Sequence, residues 1–218
     1  MHSTPLTFTR VINACVLIEV GEHSILTDPF FQNWRIIGIK EDVAIAPREL
    51  PRLTAIIGCH AFIDHWQMAG LADYPHNKAD VQVFVAMNSM ARSARKAGFR
   101  NVEVLNWGEC RAVGEELSIE AVQAQRMLFW TVNNYVLRCG DVSVFFGREA
   151  LDLKPLAESQ TIRGPIDVAA LPVNAVHLFG LYKLVMSGGE AAHAASAPLT
   201  CSSFTMPHPN SSAMAITV

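Results

Sequence analysis

Three apolar runs constrain this chain most. Leu53 to Gly58, Val81 to Ala86 and Val168 to Val173 are nearly continuous in hydrophobic residues, yet each is only six residues long. A helix that short would bury little, whereas a strand covered on both faces shows this pattern. The chain must therefore build sheets whose central strands are shielded above and below.

The text around these runs supplies the edges. Leu6 to Ile12 and Val16 to Val20 are strand-like, and a Gly21-Glu22 turn leads into Ser24 to Thr27, which predicts an antiparallel opening. Asp28-Pro29 stops that strand, and a loop with Trp34, Gly38 and Pro47 leads to the first buried run. Between the buried runs, Ser89 to Ala97 reads as a helix with basic residues late in it and Gly98 placed to end it. Val102 to Leu105, Leu117 to Val122, Tyr135 to Arg138 and Val142 to Phe146 alternate polar and apolar, separated by Gly108, Gly114 and Gly140-Asp141, which predicts a second antiparallel sheet. Ser187 to Glu190 forms a capping box at the start of an alanine-rich helix that Pro198 ends. Two sheets packed face to face, with helices on the outer faces, account for this order of elements. No repeat or low-complexity linker divides residues 1–218, so a single domain is expected.

Composition narrows the partners. Only 17% of the residues are charged and the net charge is -3, so the chain offers no basic field for nucleic acid or anionic lipid. A small molecule is the expected partner, with a homo-oligomer left open. The opening Met1 to Pro5 has no basic region leading into an apolar run, and no stretch has the roughly 18 apolar residues of a membrane span, so a soluble, cytoplasmic protein is expected. Five scattered cysteines (Cys15, Cys59, Cys110, Cys139, Cys201) disfavour a disulfide framework and a cysteine-only zinc site. The sequon Asn210-Ser211-Ser212 is read as chance.

The chemistry should lie in Cys59 to Trp66, which places His60, Asp64 and His65 within six residues just after a buried strand. Loops at strand ends can turn several polar side chains into one cavity, as a metal or a reacting substrate requires. A loop of solvated or internally satisfied histidines is the alternative. Cys59 beside His60 could act as a nucleophile, although a small buried hydrophobe fits it better.

The segment resembles the metallo-β-lactamase superfamily, whose signature H-x-H-x-D-H follows a strand in the same way. Asn13 to Glu19 followed by Ile25 to Phe30 is similar to the opening of that superfamily's ascorbate-lactonase-like branch. Leu50 to Leu53, Asn106 to Glu109, Asp167 to Val173 and Met186 to Ala192 also resemble it, so the likeness spans nearly the whole chain. It implies an α/β (α+β) fold, a four-layer αββα sandwich.

The departures are as informative as the matches. Phe62 stands where the signature has its second histidine, Arg126 where the family has its mid-chain histidine, Arg148 where it has the bridging aspartate, and Asn13 where it has an early histidine. The resemblance thus implies that the first metal position keeps only His60, while the second keeps Asp64 and His65, with His208 in Met206-Pro207-His208 similar to the last ligand. Two inward-facing arginines would each repel a divalent ion about 5 Å away by roughly 7 kcal/mol at an effective dielectric of about 20.

The leading expectation is therefore a divergent enzyme of hydrolase, lactonase or cyclase/isomerase type without the dinuclear centre and with no metal. His60, Asp64 and His65 would move protons, Arg126 and Arg148 would bind an anionic substrate, and Phe62 and Trp66 would wall the cavity. One alternative is a mononuclear zinc, iron or manganese hydrolase using Asp64, His65 and His208. Another is a non-catalytic binding scaffold, for which the cleft would be plugged. Phe129, Trp130 and Phe179 are assigned to core or rim, and His177 and His193 are further residues that could approach the cleft.

Overall fold

In the computed structural model the described residues are 4–32, 42–127 (backbone alone for 125–127), 130–147, 153–172 (backbone alone for 172) and short stretches at 177–178, 182–183, 187, 189, 203–205 and 214–217. The chain divides into two compact units, residues 1–106 with 129–131, and residues 107–128 with 132–218.

The first unit is built on a six-stranded sheet whose strands follow sequence order. These are β1 (Leu6–Ile12), β2 (Cys15–Val20), β3 (His23–Thr27), β4 (Ala55–Gly58), β5 (Gln82–Val85) and β6 (Asn101–Val104). The opening strands pair antiparallel, as the Gly21 turn predicts, and Gly21 has φ 56°. From β3 onward every pairing is parallel. All four residues of β4 are buried, which explains its unbroken apolar text.

Helix α1 (Asn88–Lys96) carries the chain from β5 back to a parallel β6 and buries Met90, Ala91 and Ala94. Gly98, at φ 99°, ends it. The grouping of Val102 to Leu105 with the second sheet is corrected by this pairing. The segment alternates because β6 is an edge strand with only partial cover, not because it belongs to an antiparallel sheet.

The second unit carries a seven-stranded sheet in the order β14-β15-β11-β10-β9-β8-β7. Its members are β7 (Cys110–Val113), β8 (Leu117–Met127), β9 (Trp130–Cys139), β10 (Val142–Phe146), β11 (Val168–Pro172), β14 (Ser203–Thr205) and β15 (Met214–Thr217). A separate pair, β12 (His177–Leu178) and β13 (Tyr182–Lys183), is antiparallel. The Val168 run lies centrally, parallel to β10 on one side and antiparallel to β15 on the other.

Helix α2 (Lys154–Arg163) packs on β8 and was not legible as an apolar stripe. It buries only Leu156 and Ser159, and Ile162 is exposed. Its usable signals are Pro155 in the first turn and Gly164 just past the end, at φ 95°. The alanine-rich helix expected after Ser187 lies outside the described residues. Among the described residues no helix is long and apolar enough to cross a membrane.

Candidate active site

The site grows from the parallel pair β3 and β4. Parallel strands end on the same edge of the sheet, so Asp28 and Cys59 leave the sheet side by side. The Asp28 amide continues the ladder by donating to Ile57 O at 2.9 Å, and Asp28 Oδ1 accepts the Cys59 amide at 2.7 Å. Asp28 is fully buried, so its carboxylate must find internal donors, and the loop after β4 supplies them.

That loop closes as a tight turn. The His65 and Trp66 amides both donate to Phe62 O, and the Gln67 amide donates to Pro29 O at 2.8 Å. Gln67 Nε2 donates to Ile63 O at 2.8 Å. The turn brings His65 Nδ1 to 3.2 Å from Asp28 Oδ2 and His65 Nε2 to 3.6 Å from Asp64 Oδ2. With Nδ1–H held by Asp28, the Nε2 lone pair faces the Asp64 carboxylate.

His60 is fixed differently. Its Nδ1 accepts the Phe62 amide at 3.3 Å, so the neutral ring carries its proton on Nε2. The His60 and His65 rings lie 3.9 Å apart, the Phe62 ring stands edge-on to His60 at 4.8 Å, and Phe62 meets Trp130 edge-on at 4.6 Å. Both histidines are buried, whereas the Asp64 side chain is about a third exposed.

Two residues with left-handed backbone brace this arrangement. Asn13 has φ 47° and Asp28 has φ 39°, and they are the non-glycine residues with positive φ among those described. Asn13 Nδ2 donates to Asp64 O at 2.9 Å. Thr27 holds the turn that presents Asn13, since its hydroxyl accepts the Val16 amide at 2.9 Å and donates to Ala14 O at 3.0 Å. Such conformations cost about 1–3 kcal/mol each and persist where their surroundings impose them.

The structure thus brings together His60, Phe62, Asp64 and His65, and adds Asp28 and Asn13. Asp28 was read as a strand stop and as part of the Ile25 to Phe30 resemblance, without a role in the site; the signal that could have found that role is its place at the end of β3, beside the strand that carries the histidine loop. Trp66 does not stand with this group. Its indole Nε1 donates to Ser93 Oγ at 2.7 Å and Met90 O at 3.2 Å, so the ring fastens the loop to α1. Cys59 is fully buried, in keeping with its role as a small hydrophobe. Arg126 has its backbone in β8, and His177 has its backbone in β12, but their side chains lie outside the described residues, as do Arg148, His193, Phe129, Phe179 and His208.

No protein-family model matches the sequence, and no curated protein matches it. Solved structures do. The isothiocyanate hydrolase from Delia radicum gut bacteria aligns over 89% of this chain and 82% of its own, with 17% identity and a TM-score of 0.70. A protein from Veillonella parvula described as "a possible metal-dependent hydrolase" aligns over 88% and 80%, with 13% identity and a TM-score of 0.71. The metallo hydrolase Igni18 from Ignicoccus hospitalis aligns over 88% and 78%, with 15% identity and a TM-score of 0.64. The chain shares its fold with these three hydrolases. At these identities the likeness is one of fold: a mixed α/β chain with two sheets and few helices. The metal-free expectation gains no support from such neighbours, two of which carry a metal in their descriptions.

Proposed function

We propose that this chain is a hydrolase-type enzyme of the metallo-β-lactamase fold, acting on a small anionic molecule through His65 and Asp64. The observation that carries the reading is the chain Asp28 Oδ2, His65 Nδ1, His65 Nε2, Asp64 Oδ2, with separations of 3.2 Å and 3.6 Å at its two links. A buried carboxylate on one imidazole nitrogen fixes the tautomer and raises the basicity of the other, as metal-binding and proton-abstracting histidines both require. The anionic substrate rests on the sequence alone, on Arg126 and Arg148.

The donor set fits one ion better than two. His65 Nε2 and Asp64 Oδ2 would hold it, with His208 as a third ligand from the sequence resemblance. His60 offers no second lone pair on Nε2 while Nδ1 takes the Phe62 amide, and Phe62 has no donor atom. A single zinc, iron or manganese ion would supply Lewis-acid polarisation and a more acidic bound water. The protein's own groups do the rest: Asp28 orients His65, and Asn13 holds Asp64 in place through its carbonyl.

A second reading shares these residues without an ion. The Asp28–His65 pair is what a general base needs, with Asp28 stabilising the imidazolium that forms. Elemental analysis of untagged protein, before and after incubation with zinc, iron and manganese, separates the two. About one equivalent, lost in both Asp64→Ala and His65→Ala, supports the single-ion site. No metal, with turnover of anionic esters or lactones that His65→Ala abolishes, supports the acid–base reading. Neither metal nor turnover would leave the fold as a binding scaffold and overturn the proposal.

A further inference from the structure

The same loop also borders a hollow that the reading above does not use. It has a volume of about 710 Å³, within the roughly 300–1,000 Å³ of ligand pockets, and sits between the 63–72 segment and α1. Trp66, Met68, Ala69 and Ile63 make its apolar wall, and Lys78 and Lys96 its charged one. His60, Asp64 and His65 do not line it, so it is separate from the candidate active site.

We infer that this hollow binds a small amphipathic anion, an apolar chain or ring bearing one carboxylate. Two features select the apolar part. Ile63 is 58% exposed, one of three large hydrophobic residues so placed among those described, and it stands at the mouth of a hollow whose deeper lining includes the largely buried Trp66 and Met68. Two of the neutral polar groups lining it are engaged: Ser93 Oγ takes Trp66 Nε1–H and itself donates to Met90 O at 3.0 Å, and Gln67 Nε2 donates to Ile63 O at 2.8 Å.

Charge selects the head group. Among the described residues no carboxylate lines the hollow, although the chain as a whole is acidic. The helix forming one side carries Arg92, Arg95 and Lys96 and no acidic residue. Lys78 is held at that helix's end, its ammonium donating to Ala97 O at 3.1 Å and lying 5.6 Å from the Phe99 ring centre, while Lys96 is exposed at the rim. An anion entering head-first at the lysines leaves its apolar portion on Trp66 and Met68.

Calorimetric titration with decanoate, 1-decanol and decylamine tests this. Decanoate should bind one to one and more tightly than decylamine. Lys96→Glu should weaken decanoate by about threefold or more while leaving decanol unchanged, in keeping with a rim ion pair. Ala72→Trp, which fills the hollow from an exposed position, should abolish decanoate binding, and Ala69→Trp, exposed one turn earlier on the same segment, does the same should the first variant lose its thermal transition. Decanoate binding that survives filling in a folded variant, decylamine binding as tight as decanoate, or no binding at all would overturn the proposal. None of these readouts depends on turnover or on metal at His65.

Discussion

Asp28 and His65, 37 residues apart in sequence, face each other with carboxylate oxygen and imidazole Nδ1 3.2 Å apart, both side chains buried. The contact decides which nitrogen of His65 is available for chemistry. In Asp28→Asn the side-chain carbonyl can still accept the Cys59 amide, which turns the NH₂ group toward His65 and forces the ring proton onto Nε2. Long-range proton–nitrogen spectra at pH 8 should show Nε2 of His65 unprotonated in the parent and protonated in the variant. Metal affinity or turnover should fall by about 10–100-fold with the fold retained. An unchanged tautomer would remove Asp28 from its orienting role.

Asn13 is expected to act on the loop rather than on the core. Asn13→Gly keeps the left-handed backbone but removes the amide that holds Asp64 O, a loss of about 0.5–1.5 kcal/mol. Chemical denaturation should report that modest change, with a larger relative fall in activity. Asn13→Val, β-branched at φ 47°, should cost clearly more stability than Asn13→Gly.

Gly58 is a packing requirement. A Cβ there would lie 2.4 Å from the Trp66 ring and 2.6 Å from Met90 Cε. Gly58→Ala must push Trp66 off its bonds to Ser93 and Met90, at about 1–3 kcal/mol. A lowered melting temperature with altered tryptophan emission is the expected signature, and a neutral substitution would show that the loop yields more easily than this packing suggests.

Much of the fold was legible because it is written locally. Six-residue apolar runs fit only buried strands, and Gly21 and Gly98 mark ends that require positive φ. The cluster His60, Asp64, His65 was visible because one short loop carries it. Asp28 and Asn13 were not assigned roles, because parallel pairing of β3 with β4 and the turn between β1 and β2 bring them to that loop, and neither is encoded by neighbours in sequence. Helix α2 was missed because a helix with so little buried surface leaves almost no periodic trace.

Cys15 makes stability fall at high pH. Burial pushes its thiol up to about 12 from an ordinary 9.0; a hydrogen bond at Phe30 opposes this in part, and the Asp28 charge adds the least. Above pH 9 the unfolded chain loses this proton while the folded chain keeps it, so unfolding becomes progressively easier as the pH rises toward 12. Below pH 9 the effect is absent. Tyr74, also raised by burial, acts in the same direction from its own higher starting point. Denaturant midpoints between pH 8.5 and 11 should decline less steeply in Cys15→Ala than in the parent, and parallel curves would refute the assignment.

The hydrogen bonds that support His65 have a consequence for how long the site keeps its shape. The amides of Asp28 and Cys59 are tied into the frame of β3 and β4, where all of β4 is sealed from solvent. Amides so placed trade their protons with water only when the sheet as a whole opens, far more slowly than those of a surface loop. The pairing of Asp28 with His65 therefore inherits the lifetime of the first unit's core. Fraying at the outer ends of the edge strands β1 and β6 leaves this one contact intact, so Asp28 and His65 part only when the sheet between them opens.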